Sequence, residues 1–252
     1  MRFGRAATGY HDTTPVQRWM ATRLVEQLPR DASATAILEL GCGTGHLTLE
    51  LARRFPKSKL VATDLSATML REASAIWPHE IKPPRWESLD ARTPREFPIH
   101  PDLVASNAVV QWFPDLEGHL RSIRNLSAAG TVYVLSDFGR DHFPELERIL
   151  TSSAFGYSAG PGHDPGEALA LAKKTGWRAR TLHEESRVEL YASAADFLRH
   201  LKTSGVNRPP PQDRPLTRSR LQALLERLTT EAMAPGGIAI TWKPWFLVLE
   251  AI

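Results

Sequence analysis

The stretch Ile37-Leu38-Glu39-Leu40-Gly41-Cys42-Gly43-Thr44-Gly45 decides how this chain is read. An apolar run from Ala34 to Leu38 leads into it, and His46 to Phe55 follows with helical spacing. The pattern is strand, glycine turn, helix. Glycine at alternate positions lets the backbone turn tightly and leaves no Cβ between the main chain and a bound molecule. A second apolar run, Lys59 to Thr63, ends on Asp64. An acid about twenty residues past such a turn closes the neighbouring strand, where it can receive a ribose diol.

Two nucleotide-type cofactors compete for this arrangement. The dinucleotide fingerprint G-x-G-x-x-G requires glycine at position 46, but His46 stands there and the third glycine comes one residue early. That disfavours NAD. The pattern Glu39-x-Gly41-x-Gly43-x-Gly45 instead resembles motif I of the class I S-adenosylmethionine methyltransferases.

Composition sets wider bounds. The 252 residues suffice for one large domain, and 42% hydrophobic with 23% charged residues is ordinary for a soluble protein. Met1 to Arg5 contains no apolar leader core, and no apolar run approaches the roughly 20 residues of a membrane span, so a cytoplasmic protein without a membrane partner is expected. The single Cys42 has no partner for an intramolecular disulfide. Net charge is only +3, but Arg53, Arg54, Lys57 and Lys59 cluster, as do Arg208, Arg214, Arg218 and Arg220. Such clusters are either solvated faces or a dock for an acidic partner. No aromatic-interleaved basic run and no zinc spacing is present, so neither nucleic acid nor metal is expected.

Residues 1–31 read as an N-terminal cap. Thr13 or Thr14 can cap a helix with Pro15 at its first position, and Trp19, Met20, Leu24, Val25 and Leu28 form its apolar stripe. Residues 32–140 alternate strand and helix, which argues a parallel, doubly wound α/β sheet. Ser66 can cap a helix to Ile76, a short strand spans Arg85 to Leu89 before Asp90, and Asp102 to Asn107 is a further strand. Asp115 caps the next helix, and Thr131 to Ser136 is the fifth strand. Ligands of such sheets sit at the carboxyl ends of the strands, where Gly41 to Gly45, Asp64, Asp90 and Asn107 all fall.

Residues 141–237 read as a lid region: a helix from Pro144 to Phe155, a loop from Gly156 to Gly166, and a helix from Glu167 to Thr175. One core strand near 177–190, a helix from Ala194 to Thr203, the stiff Arg208 to Pro211 connector and a helix capped by Thr217 complete it. Residues 238–252 form a closing strand or hairpin.

Most of the chain resembles the malonyl-acyl-carrier-protein O-methyltransferases of early biotin synthesis. The residues concerned are Phe3-Gly4-Arg5-Ala6-Ala7 with Tyr10 and Gln17, Leu40 to Gly45, Asp64-Leu65-Ser66 with Met69-Leu70, Ser106 to Trp112, Leu198 to Gly205, and Leu216 to Gln222. The Asn107 to Trp112 segment also resembles the trans-aconitate methyltransferases. After Leu201-Lys202, where the family continues Gly-x-Gly-Ala, this chain has Thr203-Ser204-Gly205-Val206.

The resemblance implies a Rossmann-like class I methyltransferase fold: a mostly parallel seven-stranded sheet with helices on both faces, an N-terminal cap and a helical lid insertion. It implies S-adenosyl-L-methionine as cofactor, released as S-adenosyl-L-homocysteine. Gly41, Cys42, Gly43 and Gly45 would meet its methionine part, Asp64 its ribose, Leu65 and Met69 its adenine faces, and Asp90 the adenine amino group, with Ala91 and Asn107 as further cofactor-binding candidates. The acceptor would be malonyl-phosphopantetheine on an acyl carrier protein, methylated at its free carboxylate. A carboxylate is already ionised at pH 7, so no general base is expected. Tyr10 is the positioning candidate, and Tyr10, Gln111, Trp112, Arg199 and Lys202 are candidates to hold the substrate. His11, His46 and His119 are read as surface or packing residues. The alternative acceptor is a small free acid such as trans-aconitate; a monomer is expected.

Overall fold

The computed structural model describes residues 13–92, 94–150, 162–204 and 217–252. Tyr10, His11, the Phe3 to Ala7 segment and the Arg208 to Pro211 connector lie outside these residues. Helix α1 is Pro15–Glu26 and strand β1 Ala36–Leu40, followed by α2 His46–Arg54, β2 Lys59–Asp64, α3 Ala67–Ala75, β3 Arg85–Ser88 and β4 Leu103–Asn107. A 3-10 turn, Val110–Trp112, precedes α4 Leu116–Leu126 and β5 Val132–Phe138. Then come α5 Pro144–Leu150, α6 Pro165–Lys174, β6 Trp177–Glu184, β7 Arg187–Tyr191, α7 Ala194–Thr203 and α8 Arg218–Glu231. Strands β8 Met233–Ala234, β9 Gly237–Trp242 and β10 Pro244–Ala251 end the chain.

Seven strands form one sheet in the order β3-β2-β1-β4-β5-β10-β6, parallel except for β10, which runs antiparallel to both neighbours. The chain builds outward from β1 to β3 and then returns to lay β4 on the other side of β1. In doubly wound sheets ligands bind at such a reversal, which here falls at the carboxyl ends of β1 and β4. Side chains alternate cleanly between two cores. Ile37, Leu103, Ala105, Val134, Phe246 and Val248 pack with α1 and α2 on one face, whereas Leu38, Leu40, Val104, Tyr133, Leu135, Trp245 and Leu247 pack with α4 and α6 on the other. Burying each large aliphatic side chain contributes about 1.5–3 kcal/mol, so both faces stabilise the sheet and fix its register.

The structure departs from the sequence expectation in three places. The stretch expected as one strand from Trp177 to Leu190 is two: β6 is the edge of the main sheet, and β7 joins a small antiparallel sheet ordered β7-β9-β8. The break at Glu185 and Ser186 lies opposite Lys243, where β9 leaves for β10. The two paired ribbons, β6 with β10 and β7 with β9, therefore bend together. Consequently the last stretch, expected as a closing strand or hairpin, is no hairpin: β9 and β10 form one near-continuous ribbon shared by two sheets. Third, α6 begins at Pro165 inside the expected loop, because the Asp164 carboxylate accepts the Glu167 N–H at 2.9 Å and Pro165 fills the first turn.

Candidate active site

The glycine turn after β1 has the backbone its composition anticipates. Gly41, Gly43 and Gly45 have φ of +71°, +53° and +92°, in the left-handed region that side chains disfavour. A Cβ on Gly41 would stand 2.6 Å from Val109 Cγ2, whereas one on Gly43 would meet nothing within 4 Å among the described residues. Gly41 is thus glycine for close packing, and no described residue fills the space at Gly43. The Cys42 N–H donates to Thr63 O at 2.8 Å, and the Gly43 N–H donates to Asp64 Oδ2 at 3.0 Å. Asp64 Oδ1 accepts the Ser66 N–H at 2.7 Å, so this one carboxylate joins the glycine turn to the start of α3. Burial pushes the Asp64 carboxyl upward, opposed by the N–H groups of Ser66, Gly43 and Leu65. Burial also pushes the Cys42 thiol well up, which makes it an inert filler.

Beneath the turn lies a polar layer joining α1 to the sheet. Asn107, at the end of β4, donates through Nδ2 to Gln17 O at 3.0 Å and accepts from Ser136 Oγ at 2.7 Å. Thr14 Oγ1 and His46 Nε2 lie 2.9 Å apart, linking the first residue before α1 to the first residue of α2. Glu39 is fully buried on the same face, and desolvation raises its carboxyl to about 8 despite help from Thr48. Ala108 follows β4 with φ of +55°, its N–H held by Ser136 O at 2.8 Å. A non-glycine residue in this region is strained, and here it turns the chain sharply into Val110–Trp112.

The other predicted residues divide by place. Leu65 remains 41% exposed beside Asp64, whereas Met69 is buried. Asp90 lies in the turn after β3, hydrogen-bonded to the Arg92 side chain, which lowers its pKa. Ala91 is buried. Gln111 is buried and donates to Ala108 O at 3.3 Å, and Trp112 is half-buried next to it. These residues follow the carboxyl ends of adjacent strands. Arg199 and Lys202 do not join them: the buried side of α7 is Ala194, Phe197 and Leu201, while Lys202 is exposed and Arg199 pairs with Asp196 one turn back.

Two histidines read as surface or packing residues are buried and bonded. One is His46. The other, His119, is fully buried with Nδ1 2.8 Å from Ala91 O and Nε2 2.9 Å from Tyr133 Oη. Sequence reading also passed over Asp137 on β5, whose carboxyl is fully buried with no side-chain partner among the described residues; burial pushes it well above the usual range, opposed only by the Phe138 N–H. Its signal was available: a carboxylate inside the apolar run Val132 to Phe138. Among the described residues no group of three or more His, Cys, Asp or Glu could hold a metal, and no helix is long and apolar enough to cross a membrane.

A family model described as a methyltransferase domain matches residues 38–133, the span from β1 to β5. The malonyl-[acyl-carrier protein] O-methyltransferase of Dechloromonas aromatica is 31% identical over 97% of this chain and 90% of its own length. The chain belongs to the malonyl-[acyl-carrier protein] O-methyltransferase family. Another member, from Halalkalibacterium halodurans, is 29% identical over 99% of this chain and 96% of its own. A remote solved structure shares the fold of this chain. Geranyl diphosphate methyltransferase, solved in complex with S-adenosylmethionine, matches 93% of this chain and 85% of its own at 13% identity with a TM-score of 0.52.

Proposed function

We propose that this protein transfers a methyl group from S-adenosyl-L-methionine to the free carboxylate of malonyl-acyl carrier protein. The observation carrying this reading is similarity along almost the whole chain to proteins named for that reaction, at 31% identity to the Dechloromonas aromatica enzyme. The ester so formed hides the charge of the malonyl group, which can then be elongated like an ordinary acyl chain toward biotin.

The residues present fit the cofactor. No described residue fills the space at Gly43, and the Asp64 carboxylate, with two oxygens and about four lone-pair sites, keeps acceptor capacity for a hydroxyl beside the N–H groups it already holds. Gly41, Cys42, Gly43 and Gly45 would cradle the methionine part, Asp64 the ribose, Leu65 and Met69 the adenine faces, and Asp90, Ala91 and Asn107 the remaining edges. When bound, the cofactor supplies a sulfonium-activated methyl group. The chain's own contribution is alignment. Gln111 and Trp112 would hold the acceptor with Tyr10; Arg199 and Lys202, on the outer side of α7, are left out of that set. The acceptor carboxylate is ionised at pH 7 and needs no base. The site has to hold it in line and exclude water.

We read the chain as one working unit, with residues 32–140 binding cofactor, 1–31 capping, 141–237 forming the lid and 238–252 closing the sheet. Arg218 and Arg220, exposed on the first turn of α8, would meet an acidic carrier. Neutralising both should raise the carrier KM at least severalfold and leave methylation of a small malonyl thioester unchanged, as steady-state assays would show; equal loss on both substrates contradicts the dock.

A further inference from the structure

His119 has no place in the roles above, yet it touches them through one peptide plane. It stands on α4, 28 residues from Ala91, and its ring is fully buried. Because a carbonyl only accepts, the proton must sit on Nδ1, which donates to Ala91 O at 2.8 Å. Nε2 then accepts from Tyr133 Oη at 2.9 Å, and Tyr133 Oη lies 3.5 Å from Ser106 Oγ on β4. Burial lowers the His119 pKa to about 4, so the ring stays neutral and this tautomer persists at neutral pH.

The Ala91 carbonyl shares its peptide plane with the Arg92 N–H, which donates to Asp90 Oδ1 at 3.1 Å. The plane is therefore clamped on both sides: His119 grips its oxygen, and Asp90 grips its hydrogen. Rotating the plane would release both bonds and displace Arg92, whose guanidinium also holds both Asp90 oxygens, so the carboxylate would lose its backbone and its side-chain partner together.

We infer that His119 is a positioning residue for adenine recognition, which fixes the Ala91–Arg92 peptide and through it the direction of the Asp90 carboxylate. This rests on the cofactor reading given above. Substitutions separate the two ring nitrogens, since the amide of Asn reaches the place of Nδ1 and the longer amide of Gln that of Nε2.

The test is calorimetry of the full chain with S-adenosylhomocysteine and with its 6-oxo analogue, S-inosylhomocysteine, which lacks the exocyclic amino donor. Wild type should prefer the adenine ligand. H119Q should lose about tenfold in affinity for it, the scale of a hydrogen bond to a charged group, and much less for the analogue. H119N should keep the preference. A general packing defect would weaken both ligands equally in H119Q, and that result, or an unchanged preference in H119Q, overturns the inference. Wild type binding neither ligand would instead overturn the cofactor reading, and this inference with it.

Discussion

Asp64 illustrates how much chemistry one side chain carries here. Its two oxygens accept N–H groups from Gly43 and Ser66, so the carboxylate both shapes the glycine turn and faces the space beside it. We predict that D64A loses at least a hundredfold in S-adenosylhomocysteine affinity by calorimetry while its circular dichroism stays native; unchanged affinity would refute the assignment. Gly41 predicts a different failure. A Cβ there collides with Val109 and must adopt a φ of +71°, so G41A should unfold at lower urea, by about 1–3 kcal/mol, with Val109→Ala relieving only the collision. Glycines and Asp64 were legible because their chemistry is local: turn, helix start and acid follow one another in sequence. His119 was not. Its partners Ala91 and Tyr133 lie 28 and 14 residues away, and a lone histidine on a helix announces neither.

At the scale of elements, α1 is the member that joins cap, sheet and lid. Its inner side buries Val16, Met20, Ala21 and Leu24, and its backbone receives Asn107 at Gln17 O. Its outer side pairs Arg23 with Glu185 between β6 and β7, and Trp19 lies under the Arg187 guanidinium at 5.0 Å. Asn107→Ala should leave Gln17 O and Ser136 Oγ without their partner inside the protein and cost about 1–3 kcal/mol of stability in urea unfolding. An undiminished midpoint would show the polar layer to be dispensable. The helix itself was readable from Pro15 and the Trp19 to Leu28 stripe, because 3.6-residue periodicity is written along the chain. The β6–β7 break was not readable, since it is set by pairing with β9 and β10 more than fifty residues later. Likewise α7 showed Arg199 and Lys202 on one face by spacing, but spacing alone does not tell which face looks inward. Burial of Phe197 and Leu201 decides that.

The whole molecule responds to pH through its buried groups. The folded Glu39 carboxyl titrates near 8 against 4.5 when unfolded, so the folded state holds the extra proton between these values and stability falls as pH rises through them. Asp137 acts in the same direction. His119 and His142, lowered to about 4 from 6.5, act oppositely, but only below 6.5. Thermal midpoints should therefore decline from pH 6.5 to 8, and E39Q should flatten that decline; a midpoint that rises over this range, or an E39Q slope equal to wild type, would contradict the buried-acid account.

The central claim is the reaction, and intact-mass spectrometry of malonyl-acyl carrier protein tests it most directly. After incubation with this protein and S-adenosylmethionine, the malonyl carrier should gain the mass of one methyl group, while the carrier without malonate gains none. Free trans-aconitate, assayed beside it, should stay unmodified. A malonyl carrier of unchanged mass, with the small acid esterified instead, would contradict the proposed acceptor and leave the methyltransferase fold standing.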